Sequence, residues 1–277
     1  MLLTYLRPRA DLIDYVRAYY YFETPDETEQ PLCAELGNIR VLLRGGGWVT
    51  PPNGPAYRTT DAFLIGPTMG AYSIRCEAGT RVFGVGIRPR GWGVMMGVSA
   101  AELTDRIVDL TAIAGRVAGG AIGRIGEAKT LREMARAADD YFADLVEARL
   151  QRACAYPEAL EHWLRDPGDL DIDRLLEMSD KSQRQIDRLA QTYFGASPKR
   201  LQRKYRTLRA ADRMRNGAAN WRDAAGVSIY DQSHFIREFR NFIGVTPGQF
   251  AAQEAALIKQ VQKSRRVRGA AVNLAEI

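Results

Sequence analysis

Side chains able to carry out covalent or metal chemistry are scarce in this sequence and stand apart from one another. The two histidines, His162 and His234, are distant along the chain, and the three cysteines, Cys33, Cys76 and Cys154, fall in no Cys-x-x-Cys or Cys/His spacing. A zinc site needs several such ligands close together, and a nucleophilic thiol needs a base beside it. Neither pattern occurs, so catalytic residues, a bound metal and a cofactor are all expected to be absent. An alkylation-repair or deaminase enzyme fused to a nucleic-acid module would need the thiol or zinc set that is lacking. No Gly-x-x-x-x-Gly-Lys-Ser/Thr phosphate loop occurs either, and GRIGEAKT (123–130) is too irregular to replace it. What the chain does carry is hydrogen-bonding groups, mostly guanidinium and carboxamide, at recurring intervals: Arg184, Asp187, Arg188 and Gln191, then Gln232, Ser233, Arg237 and Arg240. The paired donors of arginine fit O6 and N7 of guanine, and a glutamine amide fits adenine. This is chemistry of recognition rather than of bond making.

These groups sit in an internal repeat. FGASP (194–198) and IGVTP (243–247) are similar strings, and superposing them sets an offset of 49 residues. At that offset Leu175 meets Ala224, Ser179 meets Ser228, Gln183 meets Gln232, Ile186 meets Phe235, Arg188 meets Arg237 and Gly195 meets Gly244. Such periodicity marks a duplicated supersecondary unit. In each copy a short helix (Ile172, Leu175, Leu176; then Trp221, Ala224, Ala225) leads through a turn to a longer one. The longer helices bury Ile186, Leu189, Ala190 and Tyr193 in one copy and Phe235, Phe239 and Phe242 in the other. Either copy alone would fit an ordinary α-hairpin. Repeat, charge and spacing together predict a helix-turn-helix, twice. Between the copies Pro198 can open a helix over 198–216, with Leu201, Tyr205, Leu208 and Met214 along one face. At ~1.5 Å per residue this helix spans about 28 Å, comparable to the ~34 Å between successive major-groove faces of B-DNA.

Charge supports the same partner. The 277 residues carry a net charge of +6, but residues 1–169 hold 19 Lys+Arg against 22 Asp+Glu, and residues 170–277 hold 20 against 11. The basic excess lies wholly in the second part, where it would attract a polyanion such as double-stranded DNA. The basic tail 256–277 reads equally well as part of that surface or as a mobile chain end. No stretch approaches the ~18 apolar residues of a membrane span, and MLLTYLRPRADL lacks a signal-peptide pattern. A cytoplasmic protein with reduced thiols and no membrane partner is expected.

The first part reads as α+β. Residues 36–88 alternate β-rich runs with Gly/Pro punctuation: IRVLLR (39–44), WVTPPNGP (48–55), AFLIGP (62–67), YSIRC (72–76) and RVFGVGIRP (81–89). The stretch Leu12–Tyr20 is open between a helix and a helix running into a strand. Arg90–Val98 suits a short helix, Ser99 and Glu102 have capping-box spacing, and 130–152 has helical periodicity. Tyr19, Tyr20, Tyr21, Trp48, Tyr57, Tyr72 and Trp92 read as core or as the wall of an apolar pocket. Arg88 and Arg90 read as a surface turn or an anion clamp.

The second copy, Asp231-Gln232-Ser233-His234-Phe235-Ile236-Arg237-Glu238-Phe239-Arg240 followed by Gly244-Val245-Thr246-Pro247, resembles the AraC/XylS family of bacterial transcription regulators. The first copy matches through Ser182, Ile186-Asp187-Arg188 and Gly195-Ala196-Ser197-Pro198. The resemblance covers about residues 169–254. It implies two helix-turn-helix subdomains joined by a helix, each placing its second helix in the major groove. Arg184, Asp187 and Arg188 would face bases in the first copy, and Gln232, Ser233 and Arg237 in the second. Gln183, Lys199, Arg200, His234 and Arg240 would lie along the DNA backbone. The chain departs from the family pattern in two places: Ser228-Ile229 stands for the usual Gly-aromatic pair in a turn, and Ala190 for an aromatic. A serine where φ is positive would cost about 1 kcal/mol, and Asp187 facing a base would favour a cytosine amino group. The first part resembles an uncharacterised domain that often precedes this module, through DYVRAYYYFE (14–23) and GVGIRPRGWGVMMGVSAAELTDRIVDL (84–110). That implies a small antiparallel β-barrel or sandwich plus helices, acting as sensor, dimeriser or both. The expected organisation is a sensor or dimerisation domain over 1–165, an all-α tandem helix-turn-helix domain over 169–255, and the tail 256–277. The expected function is sequence-specific regulation of transcription under control of a small-molecule effector or of homodimer formation, with RNA polymerase as a partner of an activator. The alternative is an effector-independent architectural or co-regulatory DNA binder whose first domain only dimerises.

Overall fold

A computed structural model of the chain describes residues 1–150, 156–166, 168, 170–218, 221–225 and 231–253, the side chains at 114–118, 221 and 225 excepted. Ten strands precede the helical region: β1 (Leu2–Leu6), β2 (Val16–Glu23), β3 (Thr28–Leu32), β4 (Asn38–Arg44), β5 (Gly47–Thr50), β6 (Tyr57–Arg58), β7 (Ala62–Ile65), β8 (Tyr72–Cys76), β9 (Arg81–Ile87) and β10 (Ile107–Asp109). They form a six-stranded sheet, β1-β2-β9-β4-β7-β10, and a four-stranded sheet, β3-β8-β5-β6, in which every pairing is antiparallel. Period-two alternation along β7 explains how the larger sheet is buried on both faces. Phe63 and Ile65 meet Val49, Tyr72 and Ile74 of the smaller sheet, whereas Ala62 and Leu64 face helices. The stretch at Leu12–Tyr20 resolves into a 3-10 turn, Ala10–Leu12, followed by β2.

Helices α1 (Pro89–Met95), α2 (Ala100–Leu103), α3 (Leu110–Glu127) and α4 (Leu131–Arg149) close the other face of the large sheet. Trp92 and Val94 of α1, and Met134, Ala138, Phe142 and Val146 of α4, pack there on Ile39, Val41, Phe83 and Val85. Ser99 and Glu102 form the capping box of α2, and Thr130 with Glu133 forms that of α4. Reciprocal bonds of this kind satisfy amide donors that a helix start otherwise leaves open.

The helical region contains α5 (Glu158–Arg165), α6 (Ile172–Glu177), α7 (Gln183–Phe194), α8 (Pro198–Arg215), α9 (Trp221–Ala225) and α10 (Gln232–Ile243). α7 opens on a Ser182/Gln185 capping box, and Asp231 caps α10 by accepting from Ser233 N. Both helices end on a left-handed glycine, Gly195 at φ +83° and Gly244 at φ +90°. The recurrence of glycine in the repeat follows from that conformation, which a Cβ disfavours. One core joins Leu175, Ile186, Tyr193, Tyr205 and Phe235 to Trp163 of α5, and also to Leu36 and Met69 from the β-rich part. Among the described residues no helix is long and apolar enough to cross a membrane. Cys154, the Ser228-Ile229 turn and the tail 256–277 lie outside the described residues.

Candidate nucleic-acid interface

The two long helices of the repeat present matched polar faces because their apolar residues recur at helical spacing on the opposite side. On α7, Ile186, Ala190 and Tyr193 point inward. Gln183, Arg184, Arg188 and Gln191 are exposed, and Asp187 is half-buried. On α10, Phe235, Phe239 and Phe242 are buried, and Gln232, Ser233, His234, Ile236, Arg237 and Arg240 are exposed. The base-facing candidates thus fall on one side of each helix, beginning at its N-terminal turn.

α8 carries both units. Leu201, Tyr205 and Leu208 are buried, while Met214 is half-buried. Arg203 of α8 grips Glu238 of α10 through two hydrogen bonds, Nε to Oε2 at 2.9 Å and Nη2 to Oε1 at 2.6 Å. A bidentate pair fixes direction as well as distance, so it orients α10 on its support. Lys199 is exposed, in keeping with a phosphate contact. Arg200 departs from that expectation. Its guanidinium lies 3.5 Å from the Asp105 carboxylate and donates to Met69 O at 3.4 Å, both in the β-rich part. The residue itself stays exposed.

Sequence reasoning missed the docking of the β-rich part onto the helical one. Lys204 is buried in this seam, where Nζ donates to Glu35 O at 2.8 Å and to Thr68 O at 2.9 Å. Burial pulls its pKa down to about 8. A signal was present: Lys204 falls between Leu201 and Tyr205 on the apolar line of α8, a place where a charge needs partners. Arg90 falls within α1 rather than in a turn. It lies 4.3 Å over the Tyr156 ring and pairs with Glu158 at 2.9 Å, tying α1 to the start of α5. His162 is exposed on α5.

Beside the seam lies a cavity of about 270 Å³, lined by apolar side chains such as Leu3, Phe22, Leu42 and Val49. Of the aromatic candidates, Tyr20 and Trp48 line it, whereas Tyr19 and Trp92 are core. Its polar end is built on buried Arg40, whose Nε donates to the Tyr20 hydroxyl at 2.9 Å and Nη2 to the Tyr72 hydroxyl at 2.8 Å. Tyr72 in turn donates to Glu35. Burial pushes the Tyr20 hydroxyl up to about 12, so it stays protonated and keeps its bond to Asn38 Oδ1 at 2.9 Å. Among the described residues no group of three or more His, Cys, Asp or Glu could hold a metal ion.

Two capped helices with outward polar faces on one connecting helix define a tandem helix-turn-helix DNA-binding region. Residues 175–253 match the helix-turn-helix domain family, and residues 4–109 match a domain of unknown function (DUF6597). The chain therefore carries an AraC-type helix-turn-helix DNA-binding domain behind that domain of unknown function. No curated protein sequence matches it. Among solved structures it is similar to ToxT from Vibrio cholerae. The apo form of a ToxT variant from strain SCE256 has 10% identity and a TM-score of 0.46, covering 89% of this chain and 99% of that one. ToxT from strain O395 has 9% identity and a TM-score of 0.48, covering 84% and 95%. Wild-type ToxT of strain SCE256 with unsaturated fatty acid bound has 9% identity and a TM-score of 0.43, covering 83% and 93%.

Proposed function

We propose that the chain is a cytoplasmic, sequence-specific regulator that reads two successive major-groove segments, with α7 in one and α10 in the other. Arg184, Asp187 and Arg188 face bases in the first segment and Gln232, Ser233 and Arg237 in the second. Gln183, Lys199, His234 and Arg240 meet phosphates. The observation that carries this reading is the pair of exposed faces on equivalently capped helices, joined by α8, whose 18 residues span about 27 Å at 1.5 Å each. Residues 169–255 are the DNA-binding domain and residues 1–165 the sensor. The cavity beside Arg40 holds the effector, a small and largely apolar molecule with a hydrogen-bonding head at the Arg40 and Tyr20 end. Cys33, Ala34 and Glu35 line that cavity, while Ala34 N donates to Phe242 O at 2.7 Å and Glu35 O accepts from Lys204. Occupancy thereby shifts the DNA-competent population through one short segment.

The test is binding of the full chain to its own upstream DNA and to scrambled DNA across a salt series. A preference of ~10³-fold or more with a steep negative salt slope is expected. Equal and weak affinity for both, with and without a metabolite pool, contradicts the reading.

A further inference from the structure

The last turn of an α-helix leaves carbonyl groups without partners inside the helix. In both recognition helices the β-rich part reaches that end, at two separate seats. At α10 the backbone N–H of Ala71 donates to Asn241 O and that of Ala34 to Phe242 O, each at 2.7 Å. A Cβ on the cap glycine Gly244 would meet Pro31 and Ala71 there. At α7 the Thr104 hydroxyl donates to Gly195 O at 2.8 Å, and a Cβ on Gly195 would meet Thr104, Ala100 and Pro67. The same turn of the duplicated unit is thus held twice, on different surfaces.

One segment joins the two seats. Pro67 stands 3.4 Å from where a Cβ on Gly195 would lie, Thr68 O accepts from Lys204 of α8 at 2.9 Å, and Ala71 N donates to the end of α10. α7 packs more extensively on α1 and α2 than on α8. The mechanical path between the recognition helices therefore runs through the β-rich part as well as along α8.

We infer that the Pro67–Ala71 segment, with Thr104 and Ala34, sets the spacing and angle between α7 and α10, and so selects the separation of DNA segments that the chain accepts. The β-rich part is then a specificity-determining part of the DNA reader in addition to its sensor. This inference rests on the tandem reading proposed above. One base pair inserted between the segments turns one against the other by about 34° and moves it by about 3.4 Å, a change that helices held at both seats cannot follow.

The experiment uses the full chain as wild type, Thr104→Val and Ala71→Pro. The DNA is a site selected by the wild type from random sequence, at its selected separation and one base pair shorter and longer. The wild type is expected to lose about tenfold or more at either altered separation. The variants are expected to bind all three separations within about threefold, with base preferences inside each segment unchanged. Variants that keep the wild-type separation preference overturn the inference and leave α8 as the ruler, whether or not their affinity falls evenly. Thr104→Val replaces the hydroxyl by a methyl of similar size and removes its bonds to Gly195 O and Ala100 O, so it decides the matter where Ala71→Pro fails to fold by circular dichroism. A wild type indifferent to separation removes the tandem reading itself, an outcome distinct from variants that behave like it.

Discussion

Where α7 of the first helix-turn-helix unit turns Ala190 into the core, α10 of the second turns Phe239, 49 residues further along. The replacement is accompanied by a different mode of support. α7 is braced from outside, by α1 and α2 against its buried face and by Thr104 at its end. α10 is held from within its own half, by three phenylalanines and by the Arg203–Glu238 pair, with backbone bonds from Ala34 and Ala71 added at its tip. A duplicated unit therefore keeps its caps and its outward face, while what stands behind each copy has diverged. The lesson is that equivalent reading heads need not respond equally to a change in the sensor.

The largest effect that would break this comparison is on stability. Phe239→Ala should lower the unfolding free energy by ~3–5 kcal/mol, since it empties a fully buried site, whereas the reciprocal Ala190→Phe should cost ~1–3 kcal/mol through overpacking. Urea denaturation of both variants checks this, and equal costs would mean that the two copies have equivalent cores. Next comes binding. Arg188→Ala and Arg237→Ala should each lose ~1–3 kcal/mol on the cognate site, read by titration at one salt concentration, and a loss confined to one of them would leave a single reading head. A third effect is a pH dependence of the seam. Lys204 has its pKa lowered to about 8 from 10.5, so between those values the unfolded chain binds a proton that the folded chain does not. The sign of linkage then makes stability rise with pH across that window. The difference in melting temperature between wild type and Lys204→Met should increase from about pH 8 to 10.5 and stay level below it. A decrease there would place the charged form of Lys204 as the favoured one in the fold.

Much of the helical half was legible in the sequence because periodicity, capping residues and terminal glycines agree there. The helix expected over 198–216 runs Pro198–Arg215, and Ser182, Gly195 and Gly244 of the repeat are the caps of α7 and α10. The exposed faces followed from the opposite side of the same pattern, and the family resemblance picked the base-facing candidates among them. In the β-rich part, β4, β7, β8 and β9 announced themselves as β-branched and aromatic runs. β3 did not, since TEQPL carries a proline in an edge strand, tolerated there because an edge amide needs no ladder partner. The glycine-rich α3 was also undistinguished, glycine being a poor helix former. The docking seam was least visible. Thr104 and Gly195, or Glu35 and Lys204, are far apart along the chain and meet only through packing, so no local pattern joins them. Lys204 on an apolar line was the one local sign.

The central claim is that two equivalent helices of one chain each read bases. Selection of binding sites from random DNA by the wild type, Arg188→Ala and Arg237→Ala tests it most directly. The account predicts that each variant relaxes one base position and that the two positions lie about one helical turn, ~10 base pairs, apart. Uniform loss of affinity on every sequence, with no position relaxed by either variant, would contradict it and reassign both arginines to the phosphate backbone.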